Sequence, residues 1–365
     1  MNNKMLLINL LWFPFLISCT NMENGKENGN TSSASGMALM ERLKDMDIMA
    51  SSFLYHRFSE NKYPSTSISS ALFEQQLKYL KDHRIPVITL GELLQWPDSA
   101  SQNQKYVILT IDDAFDSFHQ HGFPLLKKYG FKATLFVNTA TIGSGDYSGW
   151  EELREIYEYG IELGNHTHSH AYFLNEPPGQ RLEYFKHEVA QAQDIFREKL
   201  GIECRVFAYP FGEYDTGMQK IISELGFFGA AAQNSGVISG YTDPFALPRF
   251  PMTDQYGQMD SFIEKVNMLA LPVVEMLPLN TISENNPPVL KIRFIDPGLD
   301  LDRLQCFVQG GVCKIALVIG DTISAEITAQ GKLTGRRHLY TITVPHKTTG
   351  RWYWFSQQWV FPEKP

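Results

Sequence analysis

A short apolar run leads directly into three histidines in the stretch Ile161-Glu162-Leu163-Gly164-Asn165-His166-Thr167-His168-Ser169-His170. His166 and His170 are four residues apart, so they would share one face of a helix, and a tight turn at the end of a strand would also bring both imidazoles together. Either geometry can hold a divalent cation. Without a partner, the simpler interpretation of such a cluster is an exposed polar loop.

A partner for the histidines lies upstream, at the end of a second apolar run. The residues Tyr106-Val107-Ile108-Leu109-Thr110-Ile111 are typical of a strand buried on both faces, and the run ends at Asp112 and Asp113. Burying two adjacent carboxylates without a cation is costly. The sequence therefore favours a metal site over an exposed loop.

Short apolar runs alternate with amphipathic segments from Ile48 to Ala232. Several of these segments are followed by glycines that are typical helix C-caps, among them Gly130 and Gly160. The alternation predicts strands followed by helices, among them helices over residues 69–83 and 118–129, and hence a parallel sheet or a (β/α) barrel. Candidate site residues follow the predicted strand ends at His56, Asp112, Asp113, Asn138, His166, His170 and Phe211-Gly212. Active sites of (β/α) barrels are built at this edge, so we expect these residues to share one site.

The pattern changes near the C-terminus. Residues 276–288 are rich in Pro, Asn and Ser and predict a linker, and residues 289–365 contain short strands separated by turns, which predict a small β-sandwich-like domain. Its aromatic segment, residues 351–359, has two interpretations. The rings form either a sugar-stacking face or the core of this domain and the seam between domains.

Composition limits the class of partner. The 365 residues are 43% hydrophobic, enough to form two domains with large cores. The net charge is −8 and no long basic run is present, so nucleic acid is not an expected partner. The four cysteines fit neither a zinc ribbon nor a disulfide-rich scaffold, and Cys306 with Cys313 is the one plausible disulfide.

The N-terminus predicts export. Residues 1–18 have the short apolar core of a signal peptide, and Leu16-Ile17-Ser18-Cys19 resembles the lipobox of bacterial lipoproteins. Residues 19–36 would then be a lipidated cysteine and a flexible tether, anchoring the protein to a membrane through Cys19. The alternative is an ordinary signal peptide with a chance cysteine. We expect an exported cell-envelope lipoprotein, periplasmic or surface-facing.

Three motifs in this order resemble those of carbohydrate esterase family 4, the NodB-homology polysaccharide deacetylases. Residues 109–113 resemble its T-F-D-D motif, residues 166–170 its H-[ST]-x-x-H motif, and residues 207–212 its third motif, which ends in P-Y-G. The resemblance covers about residues 48 to 269. Within the family, residues 53–58 and 243–249 look most like the secreted poly-N-acetylglucosamine deacetylases. The resemblance implies an α/β fold, a distorted (β/α) barrel of the NodB-homology type, in residues 37–275.

The resemblance also implies roles for individual residues. Two imidazoles and a carboxylate leave open positions on a divalent metal, which lowers the pKa of a bound water to about 7. The ligands would be Asp113, His166 and His170, with Asp112 as the general base and His56 as the general acid. The residues expected to bind substrate or its oxyanion are Phe211 through its backbone N–H, Tyr209, Arg249 and Asn138. His168 is expected to point away from the metal.

Some positions depart from the family pattern. Ala114 stands where many members have Gly, and Phe211 replaces a common Tyr. Ala208 stands where many members have an arginine that orients the base, and we expect Arg249 to substitute for it.

The expected function is that of a metal-dependent hydrolase that removes N-acetyl groups from N-acetylglucosamine units of an extracellular polysaccharide. It would use one divalent ion, with zinc as first choice and cobalt, nickel or iron as alternatives. One alternative is a non-catalytic carbohydrate-binding or envelope-assembly protein on the same fold. Another is a deacetylase of peptidoglycan or of a chitin-like polymer. The presence of Asp112 and His56 argues against a pure binding protein, which would need neither a base nor an acid.

Overall fold

The structure is a computed structural model that describes residues 48–95, 104–309 and 311–363. The predicted signal peptide, Cys19 and the tether lie outside the described residues. Among the helices that are described, none is both long enough and apolar enough to cross a membrane.

The N-terminal part alternates strands and helices as predicted. Its strands are β1 (Met49–Tyr55), β2 (Arg57–Phe58), β3 (Ser67–Ile68), β4 (Val87–Ile88), β5 (Lys105–Asp112), β6 (Thr134–Val137), β7 (Glu162–Asn165), β8 (Val206–Ala208), β9 (Gly229–Ala231), β10 (Val237–Ser239) and β11 (Phe250–Pro251). Its helices are α1 (Ser70–Asp82), α2 (Leu90–Leu94), α3 (Phe123–Tyr129), α4 (Trp150–Tyr159), α5 (Pro178–Leu200), α6 (Thr216–Glu224) and α7 (Met259–Asn267).

One predicted helix, residues 118–129, is divided in two. Residues Phe118–Gly122 form a single π-helical turn, and α3 follows it with Pro124 in its first turn. Proline has no N–H to donate to the carbonyl four residues earlier, so the regular hydrogen-bond ladder is interrupted there.

The sheet is a distorted barrel, which confirms the predicted fold class. Strands β1, β5, β6, β7, β8 and β9 are neighbours in this order and all run parallel. Leu247 forms a bridge to Ala231 of β9, and Phe250 of β11 pairs with Phe53 of β1. Residues 247–251 therefore connect the two edges of the sheet.

The alternation of side chains along β5 separates two cores. Val107, Leu109 and Ile111 join the layer between the sheet and the helices, whereas Tyr106 and Ile108 join the cluster inside the barrel. Successive side chains of a strand point to opposite faces, so Thr110 and Asp112 belong to the inward set. The Asp112 carboxylate, at the end of β5, therefore lies on the inner face of the barrel.

The C-terminal part is an all-β sheet that begins upstream of the predicted linker at residues 276–288. Its strands are β12 (Leu269–Ala270), β13 (Val273–Leu277), β14 (Val289–Phe294), β15 (Gln305–Val308), β16 (Gly311–Ile319), β17 (Ile323–Ala329), β18 (Arg337–Pro345) and β19 (Trp352–Val360). Strands β12 and β13 lie at opposite ends of the sheet, although only Leu271 and Pro272 separate them in sequence. The sheet must therefore curve back on itself around its own core.

The aromatic segment of β19 packs inside the protein. Trp359 is fully buried, and Trp354 packs on Phe250 of the barrel and donates its indole N–H to Ser235 Oγ at 3.0 Å. These contacts correspond to the core-and-seam interpretation rather than to an exposed sugar-stacking face. Cys306 and Cys313 are joined by a disulfide across the β15–β16 hairpin.

Candidate metal centre and active site

Strand register brings the predicted site residues to one edge of the barrel. Tyr55 of β1 lies beside Ile111 of β5, so the residues that follow, His56 and Asp112, are level with each other. Val137 of β6 lies beside Asn165 of β7, so Asn138 and His166 are level in the same way. The carboxyl ends of parallel strands meet at the same edge, where barrels build their sites.

The turn after β5 has an unusual backbone. Asp113 and Ala114 both have positive φ, 74° and 56°, and Ala114 is fully buried with its carbonyl accepting the Ser148 N–H. The left-handed region is unfavourable for a residue with a Cβ, which explains why glycine suits the position after the acids. The turn directs the Asp113 side chain towards the histidines.

Asp113, His166 and His170 form a compact three-ligand cluster. Asp113 Oδ1 lies 3.6 Å from His166 Nε2 and 3.4 Å from His170 Nε2, and all three candidate ligand atoms lie within 4.8 Å of one another. Ligands about 2.1 Å from a tetrahedral metal are separated from each other by about 3.4 Å. The spacing of the cluster therefore suits one metal ion.

His166 is held in the tautomer that a metal ligand requires. Its Nδ1 lies 2.7 Å from the carbonyl oxygen of Ala208, which can only accept, so Nδ1 carries the proton and the lone pair of Nε2 faces Asp113. Burial lowers the pKa of His166 to about 3 and also lowers that of His170. Both imidazoles are therefore neutral at neutral pH.

The turn that carries the histidines is fixed by neighbouring polar groups. Asn165 Oδ1 accepts the Thr167 N–H at 2.8 Å, and the His170 N–H donates to Thr167 Oγ1 at 3.2 Å. Glu188 of α5 accepts from both the N–H and the hydroxyl of Ser169, at 2.6 and 2.8 Å. Sequence reasoning missed Asn165, Thr167 and Glu188, because the first two are locally unremarkable polar residues and Glu188 lies 19 positions beyond Ser169.

The environment of the Asp113 carboxylate indicates whether the cluster suits a cation. Its Oδ1 is buried and has no hydrogen-bond partner among the described residues. Burial and, to a smaller extent, the neighbouring Asp112 charge raise the pKa of Asp113, and the charge of His56 opposes them, with the net result that the pKa is about 6. A buried carboxylate oxygen without a donor is unstable unless a cation compensates it. The donor set therefore fits a divalent metal.

Asp112 is not part of this three-residue cluster and is hydrogen-bonded to Arg249. The two guanidinium NH groups donate to the two carboxylate oxygens at 2.7 and 2.8 Å, and Arg249 Nε donates to the Ala232 carbonyl at 2.8 Å. Burial raises the pKa of Asp112, but the charge of Arg249 and its hydrogen bonds to the carboxylate outweigh this effect, and the pKa is lowered to about 2. The carboxylate is therefore ionised, with its Oδ2 3.9 Å from His166 Nε2.

Arg249 lies far from the third motif in sequence but contacts Asp112 in the structure. It projects from the segment that closes the barrel, only 1% exposed, while Ala208 lies in β8 and contributes only its backbone to the site. His168 lies outside the ligand cluster and its Nδ1 is 2.9 Å from Thr139 Oγ1.

The remaining predicted residues divide into two groups. Asn138 is 2% exposed, and its Oδ1 has no hydrogen-bond partner within the described part of the chain. Tyr209, in contrast, is fully buried, and its hydroxyl donates to the Phe245 carbonyl at 3.0 Å. The Tyr209 side chain is therefore part of the core and does not line the site, which corrects the expectation that it binds substrate.

Phe211 lies beside the metal-ligand cluster in a strained turn. Its φ is 58°, and its ring centroid is 4.4 Å from that of His170. The Phe211 ring also forms a parallel stack with Tyr172, with centroids 3.6 Å apart and planes 2° apart. Tyr172 is 44% exposed and was not singled out from the sequence.

Comparison with known proteins places part of the chain in a known family. Residues 99–230 match the polysaccharide deacetylase family. A poly-β-1,6-N-acetyl-D-glucosamine N-deacetylase of Staphylococcus aureus is 25% identical over 232 residues, covering 58% of this chain and 79% of that protein.

Two solved structures share the fold. The structure of IcaB from Ammonifex degensii superimposes with a TM-score of 0.52 at 26% identity, covering 60% of this chain and 95% of that one. The Streptococcus pyogenes deacetylase PplD in complex with acetate has a TM-score of 0.55 at 21% identity, covering 60% and 99%, and supports the fold alone. The chain therefore carries a polysaccharide deacetylase domain of carbohydrate esterase family 4, the NodB-homology type, and is a deacetylase.

Proposed function

We propose that this protein is a metal-dependent hydrolase that removes N-acetyl groups from N-acetylglucosamine units of an extracellular, poly-N-acetylglucosamine-like polysaccharide. The observation that carries the proposal is the cluster of Asp113, His166 and His170 beside an ionised Asp112. The similarity to an N-deacetylase of poly-β-1,6-N-acetyl-D-glucosamine supports this choice of polymer.

The metal would be held by Asp113, His166 and His170. Two neutral imidazoles and one carboxylate suit zinc best, and cobalt, nickel or iron can use the same donors. When bound, a divalent ion supplies a water whose pKa is about 7 and a Lewis acid for the amide carbonyl.

Asp112 is proposed as the general base. Its carboxylate is ionised and lies next to the ligand cluster without belonging to it, so it can accept the proton of the attacking water. The two hydrogen bonds from Arg249 fix the carboxylate in one orientation. Arg249 is therefore a positioning residue for the base.

His56 is proposed as the general acid. An amide nitrogen leaves only when it is protonated, and the register of β1 and β5 that brings His56 level with Asp112 supports this role. The backbone N–H of Phe211 is proposed to stabilise the oxyanion, because Phe211 contacts His170. Asn138 is proposed to bind the substrate through its unpartnered, buried Oδ1.

The protein is proposed to act outside the cytoplasm, anchored through a lipid on Cys19. The apolar residues before Cys19 and the polar tether after it support this placement. An extracellular polymer as substrate is consistent with export.

Acetate release from a panel of polymers tests the function. Purified protein is incubated with poly-β-1,6-N-acetylglucosamine, chitin oligomers and peptidoglycan, with and without chelator. We expect release that is greatest from the first polymer, is abolished by the chelator and returns with added divalent ions. Greater release from another polymer would change the substrate, and binding of a polymer without any release would favour the carbohydrate-binding alternative.

A further inference from the structure

The turn at Pro210–Gly212 and the following Glu213 are held by the C-terminal sheet. Arg337, the first residue of β18, donates through a guanidinium NH to the Phe211 carbonyl. Gln358 of β19 donates through Nε2 to the Gly212 carbonyl at 2.9 Å. Three consecutive residues are therefore contacted, the last two of the third motif and the Glu213 that follows it, because Arg336 also binds the Glu213 carboxylate.

The contact between Arg336 and Glu213 is the most enclosed of the three. Nε and one NH group of Arg336 donate to the two oxygens of Glu213 at 2.7 and 2.6 Å, and Glu213 is only 3% exposed. Bidentate arginine–carboxylate pairs fix direction as well as distance. Gln358 is also only 3% exposed, so two of the three contacts are shielded from water.

The turn needs such support because its backbone is strained. Phe211 and Gly212 both have positive φ, 58° and 68°, and a Cβ on Gly212 would lie 2.4 Å from Gln233. A non-glycine residue in this region persists only when its surroundings hold it there. The carbonyls of the strained Phe211 and of Gly212 are the ones that accept from β18 and β19.

A stack of side chains links the same arginine to the metal site. The Arg336 guanidinium lies 4.5 Å from the centroid of Tyr172, on whose ring Phe211 is stacked. The Phe211 ring in turn contacts His170. The C-terminal sheet therefore reaches the candidate ligands through hydrogen bonds to the turn and through this stack.

We propose that Arg336, Arg337 and Gln358, the turn clamp, are positioning residues that hold the Phe211 backbone where it stabilises the oxyanion. The C-terminal sheet is then a required part of the active site rather than a separate carbohydrate-binding module. This inference rests on the proposed function for its catalytic consequence, while the positioning itself is a property of the fold. A misplaced oxyanion donor reduces kcat, and KM stays unchanged because the donor acts in the transition state.

The main variant is Arg337→Ala, since Arg337 is 41% exposed. Its Nε also lies 3.7 Å from Glu213 Oε1, but the buried Glu213 carboxylate keeps both of its hydrogen bonds from Arg336 in this variant. Gln358→Met removes the second donor while keeping its volume, and Arg337→Lys restores a donor. Arg351→Ala is the matched control. Arg351 belongs to the same part of the chain and donates to a barrel carbonyl, that of Asn267, at 3.2 and 3.1 Å, but does not touch the turn.

Two measurements are made on each metal-loaded full-length protein. The rate of hydrogen–deuterium exchange at the amides of residues 209–215 measures how firmly the turn is held. The kcat and KM for acetate release measure whether catalysis depends on the turn. We expect faster exchange and a kcat lower by about 10²-fold in Arg337→Ala and Gln358→Met, with KM and metal content unchanged. Arg337→Lys should recover most of the loss, and Arg351→Ala should match the parent protein.

Unchanged exchange in both clamp variants would overturn the proposal, and so would faster exchange with unchanged kcat. Equal losses in Arg351→Ala would also overturn it, because they would indicate general destabilisation. Should the parent protein release no acetate from any polymer, the proposed function fails, and the exchange measurement alone still decides whether the clamp holds the turn.

Discussion

Arg249 and Asp112 form a bidentate ion pair inside the barrel although they are 137 positions apart in sequence. Both side chains are almost completely buried, 1% and 0% exposed. Neither group is stable there alone, because an unpaired charge in the interior has lost its hydration. The pair therefore connects the closing segment of the barrel to the proposed base.

Removing one member of this pair should destabilise the fold. We expect Arg249→Met to lower the free energy of unfolding by about 3–5 kcal/mol, because it leaves Asp112 charged and uncompensated. Urea unfolding in excess chelator measures this without a contribution from bound metal. Arg293→Met is the control, since Arg293 forms an exposed pair with Glu275, and should cost less than about 1 kcal/mol.

Neutralising the partner should restore much of that loss. In Asp112→Asn/Arg249→Met no buried charge is left, so the double variant should be more stable than Arg249→Met while remaining inactive. A double variant no more stable than Arg249→Met would mean that Arg249 stabilises the barrel through its other contacts, to Ala232 and Thr110, rather than through Asp112.

The ligand assignment predicts a contrast within one motif. His166→Ala and His170→Ala should lose bound metal and activity, because each removes a donor from the cluster. His168→Ala should retain metal and most activity, since His168 contacts Thr139 instead. Metal content per chain, measured by elemental analysis after dialysis, checks this. Equal metal loss in His168→Ala would contradict the assignment, as would absence of metal and of metal activation in the parent protein.

His56→Ala should separate catalysis from metal binding. General acid catalysis contributes about 10²- to 10⁴-fold, so we expect a loss of kcat on that scale. His56 is not part of the ligand cluster, so metal content should equal that of the parent protein. Near-normal turnover, or loss of the metal, would each exclude the general-acid role.

Cys19→Ser should release the protein from the membrane fraction if Cys19 carries the lipid. Specific activity on soluble oligomers should not change, because the polar residues 20–36 separate the anchor from the fold. Fractionation of cells that express either form, followed by immunoblotting, measures the effect. An unchanged distribution would point to the ordinary signal peptide.

Secondary structure in the barrel was predictable because each element buries one defined face. The pattern over Ser69 to His83 predicted a helix, and α1 spans Ser70–Asp82 with Leu72, Phe73, Leu77 and Leu80 buried. The division of residues 118–129 was missed, because the effect of Pro124 on the hydrogen-bond ladder competed with an otherwise continuous helical pattern.

The aromatic segment of β19 shows where local patterns stop being informative. Flat aromatic side chains suit both sugar stacking and core packing, so the sequence left both interpretations open. The structure buries Trp359 and packs Trp354 against the barrel. A similar ambiguity affected Tyr209, whose place within the third motif suggested substrate binding although its side chain lies in the core.

By itself, the sequence determined the alternating β/α pattern and the strand ends that carry Asp112, Asp113 and the histidines, since these depend on spacing within short segments. Only the tertiary structure decided how Arg249 pairs with Asp112 and how Arg337 reaches the Phe211 carbonyl. Those contacts depend on residues 247–251 closing the barrel and on a second sheet packing against it. Local periodicity specifies which face of an element is buried, but it does not specify which distant side chain will meet it.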